Sequence, residues 1–157
     1  MNSATKSGST LRAREIEGAV GVAETAHSAT TVLVIEDEPS VSAFLRSALQ
    51  RRGYQVVTAP SASEGLDLLK RGRYLGVISD VRTPGAASGT EVYTWIRESA
   101  PELLTRLVFI TGDIVNEQTS KLLAESGAPV VVKPFRVSEL ISAVEQTIGK
   151  PSKEQNG

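Results

Sequence analysis

Short apolar runs alternate with amphipathic stretches between about residues 31 and 149. Apolar runs that stop at polar or turn-forming residues are typical of buried strands. The pattern predicts five strands, over residues 32–35, 54–58, 74–80, 106–111 and 129–132.

Apolar residues at helical spacing separate these strands. The first helix is predicted to stop at Gly53, because glycine often ends helices, and its apolar face carries Val41, Phe44, Leu45, Ala48 and Leu49. The next two helices begin at the capping boxes Ser61–Glu64 and Ser88–Glu91. A fourth is predicted over residues 116–126, closed by Gly127, and a fifth carries Leu140, Ile141, Val144 and Ile148.

Five strands that alternate with five helices predict an α/β fold with a parallel sheet, helices on both faces and right-handed crossovers. The carboxyl ends of parallel strands lie along one edge of the sheet, and binding sites form there at the point where the strand order reverses. The residues that directly follow the strands are therefore the first candidates for function.

The composition limits the classes of protein to which this domain can belong. A chain of 157 residues fits one domain with its own core, and the absence of cysteine excludes a disulfide framework and a cysteine-built zinc site. The formal net charge is -1 with acids and bases mixed, so we expect neither a nucleic-acid nor a membrane surface. No run approaches the roughly 20 apolar residues that span a bilayer, and no signal core is present, so we expect a cytoplasmic protein.

The two ends of the chain lack the pattern of the domain. Residues 1–30 are rich in Ser, Thr, Ala and Gly, which predicts a flexible N-terminal segment with His27 in solvent. The alternative for this segment is a short helix with Leu11, Ile16 and Val20 that docks on a partner. Residues 150–157 are polar and are predicted to form a flexible tail.

Polar side chains end or directly follow four of the predicted strands, at Glu36 and Asp37, Asp80, Thr111 and Lys133. Carboxylates crowded at one edge repel each other, so they should hold a cation or raise a carboxyl pKa. Oxygen ligands without histidine or cysteine favour Mg²⁺. Asp80 can then attack phosphorus to form an acyl phosphate, while Thr111 and Lys133 stabilise charge on the phosphoryl oxygens.

Two other chemistries share the fold or the nucleophile. A flavin phosphate needs hydroxyl and N–H donors after the first strand, where Glu36-Asp37-Glu38 would repel it. A dehalogenase-type phosphatase needs a second acid two residues after its aspartyl nucleophile, where this chain has Arg82. Both are disfavoured, and turnover of an external phosphate ester would identify a small phosphatase.

In order and spacing, Glu36-Asp37, Asp80, Thr111 and Lys133-Pro134-Phe135 resemble the receiver domain of two-component response regulators, the chemotaxis-type fold. The resemblance covers about residues 31–149. It implies a flavodoxin-like (βα)5 three-layer sandwich with a five-stranded parallel sheet in the order 2-1-3-4-5. It also implies that Asp80 accepts a phosphoryl group from a sensor histidine kinase or a histidine phosphotransfer protein, with Thr111 and Lys133 on the phosphoryl oxygens.

The resemblance further implies a metal site. Mg²⁺ would bind Asp37, Asp80 and the backbone carbonyl of Arg82, with Glu36 contributing mostly through water. The Lys133-Pro134 peptide bond would be cis, a form that X-Pro bonds tolerate.

Some positions depart from the family pattern. Val130 stands where receivers often carry an aromatic residue that swings inward on phosphorylation. Thr83-Pro84 replaces the usual Met-Pro, and the loop over residues 85–89 is one residue longer than is common. Together with this longer loop, the stretches over residues 109–113 and 126–130 resemble receivers of hybrid histidine kinases more than those of transcription factors.

Arg82 and Asp113 flank the predicted site, each two residues after an anchor residue. The first interpretation is that both side chains are separately solvated. Our hypothesis is that they pair across the mouth of the site and impede the water that hydrolyses the acyl phosphate.

The predicted function is a phosphorylation-dependent switch that catalyses only its own phosphorylation and dephosphorylation. We expect no output domain after Ile148, so output would come from a surface presented to another protein, from a homodimer, or from passing the phosphoryl group onward. The expected signalling face is formed by the last two helices and the fifth strand. The loop over residues 112–116 is predicted to change arrangement. The alternative is a non-phosphorylated interaction scaffold, which would not respond to beryllofluoride and Mg²⁺.

Overall fold

The computed structural model describes residues 30–82 and 88–151. The predictions made for the N-terminal segment with His27, for Thr83, Pro84 and Gly85, and for the tail from residue 152 therefore lie outside the described residues. Across the described residues, no helix combines the length and the apolar character that crossing a bilayer requires.

Five parallel strands form one sheet in the order β2-β1-β3-β4-β5. Their bounds are Thr31–Ile35 (β1), Gln55–Ala59 (β2), Gly76–Asp80 (β3), Leu107–Thr111 (β4) and Val130–Val132 (β5). The order confirms the predicted 2-1-3-4-5 arrangement and places β3 at the centre. Strand order reverses between β1 and β3, so the residues after these strands meet at one edge.

The helices confirm the predicted alternation. Their bounds are Pro39–Arg51 (α1), Ala62–Arg71 (α2), Gly89–Ser99 (α3), Glu117–Ser126 (α4) and Val137–Thr147 (α5). A 3₁₀ helix over Pro101–Arg106, which the sequence pattern did not predict, joins α3 to β4. Proline at its first position ends α3 and starts the tighter turn, and its Leu103 side chain is buried.

Predicted capping residues form hydrogen bonds at the start of α2 and α3. The Ser61 hydroxyl accepts a hydrogen bond from the Glu64 amide at 3.2 Å, and the Ser88 amide donates to Glu91 Oε1 at 2.9 Å. Gly127 ends α4 with a φ of 65°, the left-handed conformation that glycine adopts without strain.

Two apolar cores lie on opposite faces of the sheet. Alternate side chains of each strand point to opposite faces, so Leu33 and Ile35 pack with α2 and α3, whereas Val32 and Val34 pack with α1 and α5. All five residues of β1, β3 and β4 are buried, which is expected of parallel strands covered on both sides. The domain is therefore a three-layer sandwich.

Candidate functional site

Asp80 is the last residue of the central strand and only 6 % exposed. Its Oδ1 accepts a hydrogen bond from the Arg82 amide at 2.9 Å, and its Oδ2 lies 2.8 Å from Lys133 Nζ. The carboxylate is thus held in a fixed position at the carboxyl edge of the sheet. This is the place that the strand pattern predicted for it.

Glu36 and Asp37 follow β1 and reach the same place. Glu36 is 2 % exposed, and its Oε2 accepts a hydrogen bond from the Glu38 amide at 3.1 Å. One carboxylate oxygen from each of Glu36, Asp37 and Asp80 lies within 4.8 Å of the others. Burial raises the pKa of Glu36, and the charge of Asp80 adds to this effect, while hydrogen bonds from Glu38 and Lys133 oppose it.

This cluster fits a divalent cation. All its potential metal ligands are carboxylate oxygens, which suit Mg²⁺. The buried Glu36 Oε1 accepts no hydrogen bond from the described residues, although it lies 3.1 Å from Lys133 Nζ. The third ligand that the resemblance implied, the Arg82 carbonyl, belongs to the residue directly after the strand end and stays a prediction.

Lys133 follows β5 and brings its ammonium group between three acids. Nζ donates to Asp80 Oδ2 at 2.8 Å, to Glu38 Oε1 at 3.1 Å and to Glu36 Oε2 at 3.3 Å. Burial lowers the pKa of Lys133, but the bonds to Asp80 and Glu38 outweigh burial and raise it above its ordinary value, so the group stays charged. The contact with Glu38 was not predicted from the sequence, although Glu38 belongs to the acidic run that follows β1.

Thr111, the last residue of β4, is buried beside this cluster. Its Oγ1 accepts a hydrogen bond from the Asp113 amide at 3.1 Å, and Asp113 Oδ1 accepts one from the Asn116 amide at 3.1 Å. Asp113 Oδ2 also lies 3.6 Å from Arg82 Nη1, so the two side chains form the predicted ion pair. Both side chains are well exposed.

The open cleft has a volume of about 340 Å³. It is lined by Asp37, Glu38, Asp80, Arg82, Thr111, Gly112, Asp113 and Lys133. The fold therefore brings together all five candidate residues that the sequence placed at the strand ends. The Lys133-Pro134 peptide bond that follows is cis, as the resemblance implied.

A sequence profile of the response regulator receiver domain matches residues 32–145. The chain belongs to the receiver domain family. Receiver domains are the parts of two-component systems that interact with histidine kinases or phosphotransfer proteins. Membership confirms the predicted family and function class, and nothing in the comparisons favours a scaffold without phosphorylation.

Relatives of this receiver occur in several kinds of protein. The uncharacterized transcriptional regulatory protein YkoG of Bacillus subtilis is 31 % identical over 128 residues, which are 80 % of this chain and 52 % of YkoG. The sensor kinase CckA of Brucella abortus is 30 % identical over 122 residues, which are 76 % of this chain and 13 % of the kinase. The chain thus spans about half the length of the transcriptional regulators it matches. The similarity to hybrid-kinase receivers stays a prediction.

Solved structures show the same fold. The response regulator protein TrrA from Thermotoga maritima, in complex with Mg²⁺ and BeF, is 31 % identical with a TM-score of 0.65 over 75 % of this receiver and 98 % of TrrA. The chemotaxis response regulator CheY4 of Vibrio cholerae is 26 % identical with a TM-score of 0.66, over 75 % of this receiver and 98 % of CheY4.

Proposed function

We propose that Asp80 is the phosphoacceptor and takes its phosphoryl group from a histidine kinase or a histidine phosphotransfer protein. The observation that carries this proposal is the buried Asp80 carboxylate with Lys133 Nζ at 2.8 Å, at the edge where the strand order reverses. We also propose that this transfer takes place in the cytoplasm.

In the proposed transfer, an Asp80 oxygen forms a bond to phosphorus while the bond from phosphorus to the donor imidazole nitrogen breaks. The donor ring is protonated on its other nitrogen before the transfer, so the imidazole leaves with the bonding electron pair as the neutral, singly protonated ring. Lys133 donates to one phosphoryl oxygen. Thr111 Oγ1 already accepts from the Asp113 amide, so its own hydrogen is available to another phosphoryl oxygen.

Glu36, Asp37 and Asp80, with the Arg82 carbonyl, would hold the Mg²⁺ ion. When bound, Mg²⁺ supplies positive charge that offsets the charge on the phosphoryl oxygens. Without a cation, Lys133 is the only positive group within hydrogen-bonding distance of Asp80 among the described residues.

The test is phosphorylation by acetyl phosphate with Mg²⁺, followed by intact-protein mass spectrometry. We expect one phosphoryl adduct on the wild type and none on Asp80→Asn. The matched control is Asp67→Asn, which changes an exposed aspartate on α2 and should leave the adduct intact. An adduct on Asp80→Asn, or none on the wild type, would contradict the proposal.

We also propose that output uses the face of α4, β5 and α5. Val130 and Val132 on β5 are 37 % and 41 % exposed, and Val115 before α4 is 87 % exposed. Exposed apolar side chains of this kind often mark protein interfaces. Size-exclusion chromatography with and without beryllofluoride tests a homodimer, and Val132→Glu should abolish any association that beryllofluoride induces.

A further inference from the structure

Glu38 is the third acid that contacts Lys133, and it lies between Asp37 of the carboxylate cluster and the start of helix α1. Its Oε1 accepts a hydrogen bond from Lys133 Nζ at 3.1 Å. Its backbone is held in place, because the amide donates to Glu36 Oε2 and the carbonyl accepts from the Ser42 amide at 2.9 Å. The carboxylate of Glu38 is therefore directed at Lys133 by the start of α1.

The ammonium of Lys133 has only three hydrogens to donate. All three are used by carboxylates, those of Asp80, Glu36 and Glu38. A phosphoryl oxygen on Asp80 that needs a hydrogen bond from Nζ must therefore replace one of these partners.

The exposure of the three carboxylates indicates which of them Lys133 would release. The side chains of Asp80 and Glu36 are 8 % and 0 % exposed, whereas that of Glu38 is 57 % exposed. A buried carboxylate that loses its partner pays its full desolvation cost, while an exposed one is solvated by water. Glu38 is consequently the partner that Lys133 gives up most easily.

We propose that Glu38 is a positioning residue that competes with the phosphoryl group for the Lys133 ammonium and thereby slows phosphoryl uptake by Asp80. This inference rests on the proposed function. Glu38 also adds a negative charge at the cleft, which repels an incoming phosphate dianion. Its two effects act in the same direction.

The test compares the wild type with Glu38→Gln, which keeps the shape of the side chain and removes its charge. We expect acetyl phosphate with Mg²⁺ to phosphorylate the variant about 1.5 to 5 times faster, the range that corresponds to an exposed ion pair. Its apparent affinity for beryllofluoride should rise by a similar factor. In about 1 M salt the rate advantage should shrink, because charges are then screened within about 3 Å.

Two further variants separate competition from a structural role. Glu38→Asp keeps the charge, and its phosphorylation rate should lie between those of the wild type and Glu38→Gln. Glu98→Gln removes an exposed glutamate near the end of α3, away from the cleft, and should leave the rate unchanged.

The outcomes distinguish this inference from the proposed function. The first outcome is that the wild type forms an adduct that Asp80→Asn lacks, but Glu38→Gln is phosphorylated no faster. The proposed competition by Glu38 is then wrong, whereas the phosphoacceptor role of Asp80 is supported. If the variant is slower, Glu38 aids Lys133 and the inference is overturned. If the wild type forms no adduct, the proposed function itself fails.

Discussion

Single residues determine the charge around Asp80, the proposed nucleophile. Three acids and one lysine lie around it, and the outermost pair, Arg82 and Asp113, lines the cleft. The Arg82–Asp113 contact is 3.6 Å long between well-exposed side chains, so its contribution to stability is small. Because both residues line the cleft, our hypothesis for this pair is a kinetic role.

We predict that Arg82→Ala shortens the lifetime of the phosphorylated state. Without the guanidinium, water reaches the acyl phosphate more freely, and hydrolysis should become up to about five times faster, as expected from breaking one exposed ion pair. Loss of the adduct over time, followed by mass spectrometry after removal of the donor, measures the rate. Arg97→Ala, which removes an exposed arginine on α3, is the control. Equal rates for Arg82→Ala and the wild type would disprove the blocking role.

At the scale of elements, helix α3 approaches the end of β3 very closely. The Gly89 amide donates to the Val81 carbonyl at 3.0 Å. A Cβ atom added at Gly89 would lie 2.7 Å from that carbonyl oxygen and 2.9 Å from the Val81 Cα. Both are backbone atoms one residue from Asp80, so the helix and the acceptor strand are tightly coupled.

We predict that Gly89→Ala lowers the free energy of unfolding by about 1–3 kcal/mol, because the added methyl group overpacks against backbone. Urea unfolding measures the change. Gly112→Ala is the matched control, since its Cβ would find nothing closer than 3.9 Å and should change stability by less than about 0.5 kcal/mol. Equal stability of Gly89→Ala and the wild type would show that α3 can shift away from β3.

For the whole molecule, two buried tyrosines link helices and strands at some distance from the site. The Tyr54 hydroxyl donates to the Gly149 carbonyl after α5, and the Tyr74 hydroxyl donates to the Leu68 carbonyl at 3.4 Å. Burial raises the pKa of Tyr54 to about 12, with a further contribution from Glu145, and burial also raises the pKa of Tyr74 to about 12.

We predict that stability falls as the pH rises from about 10 to about 12. Below the pKa of an unfolded tyrosine, near 10, both states are protonated and the full stability is present. Above it the unfolded chain loses protons that the folded protein keeps, which costs up to about 3 kcal/mol for each tyrosine. Chemical denaturation at several pH values measures the loss, and Tyr54→Phe should flatten it. A slope unchanged by Tyr54→Phe would exclude that residue as a source.

Local sequence patterns specify the alternation of strands and helices, the helix caps and the residues at the strand ends. These depend on local periodicity and on side chains only a few positions apart. The alternation predicts a parallel sheet, which is why Asp80, Thr111 and Lys133 could be placed at one edge. The strand order 2-1-3-4-5 was implied by the resemblance to receiver domains. The 3₁₀ helix was not predicted, because a proline at this position can mark either the end of one helix or the start of another.

The pairing of the charges at that edge depends on how the whole fold packs. Glu38 and Lys133 are 95 positions apart, and their contact depends on the register of β5 against β4 and on the start of α1. No local pattern specifies these distances, because they result from packing three layers together. The fold therefore determines which acids Lys133 contacts, and in our proposal this pairing sets how readily its ammonium can bind a phosphoryl oxygen.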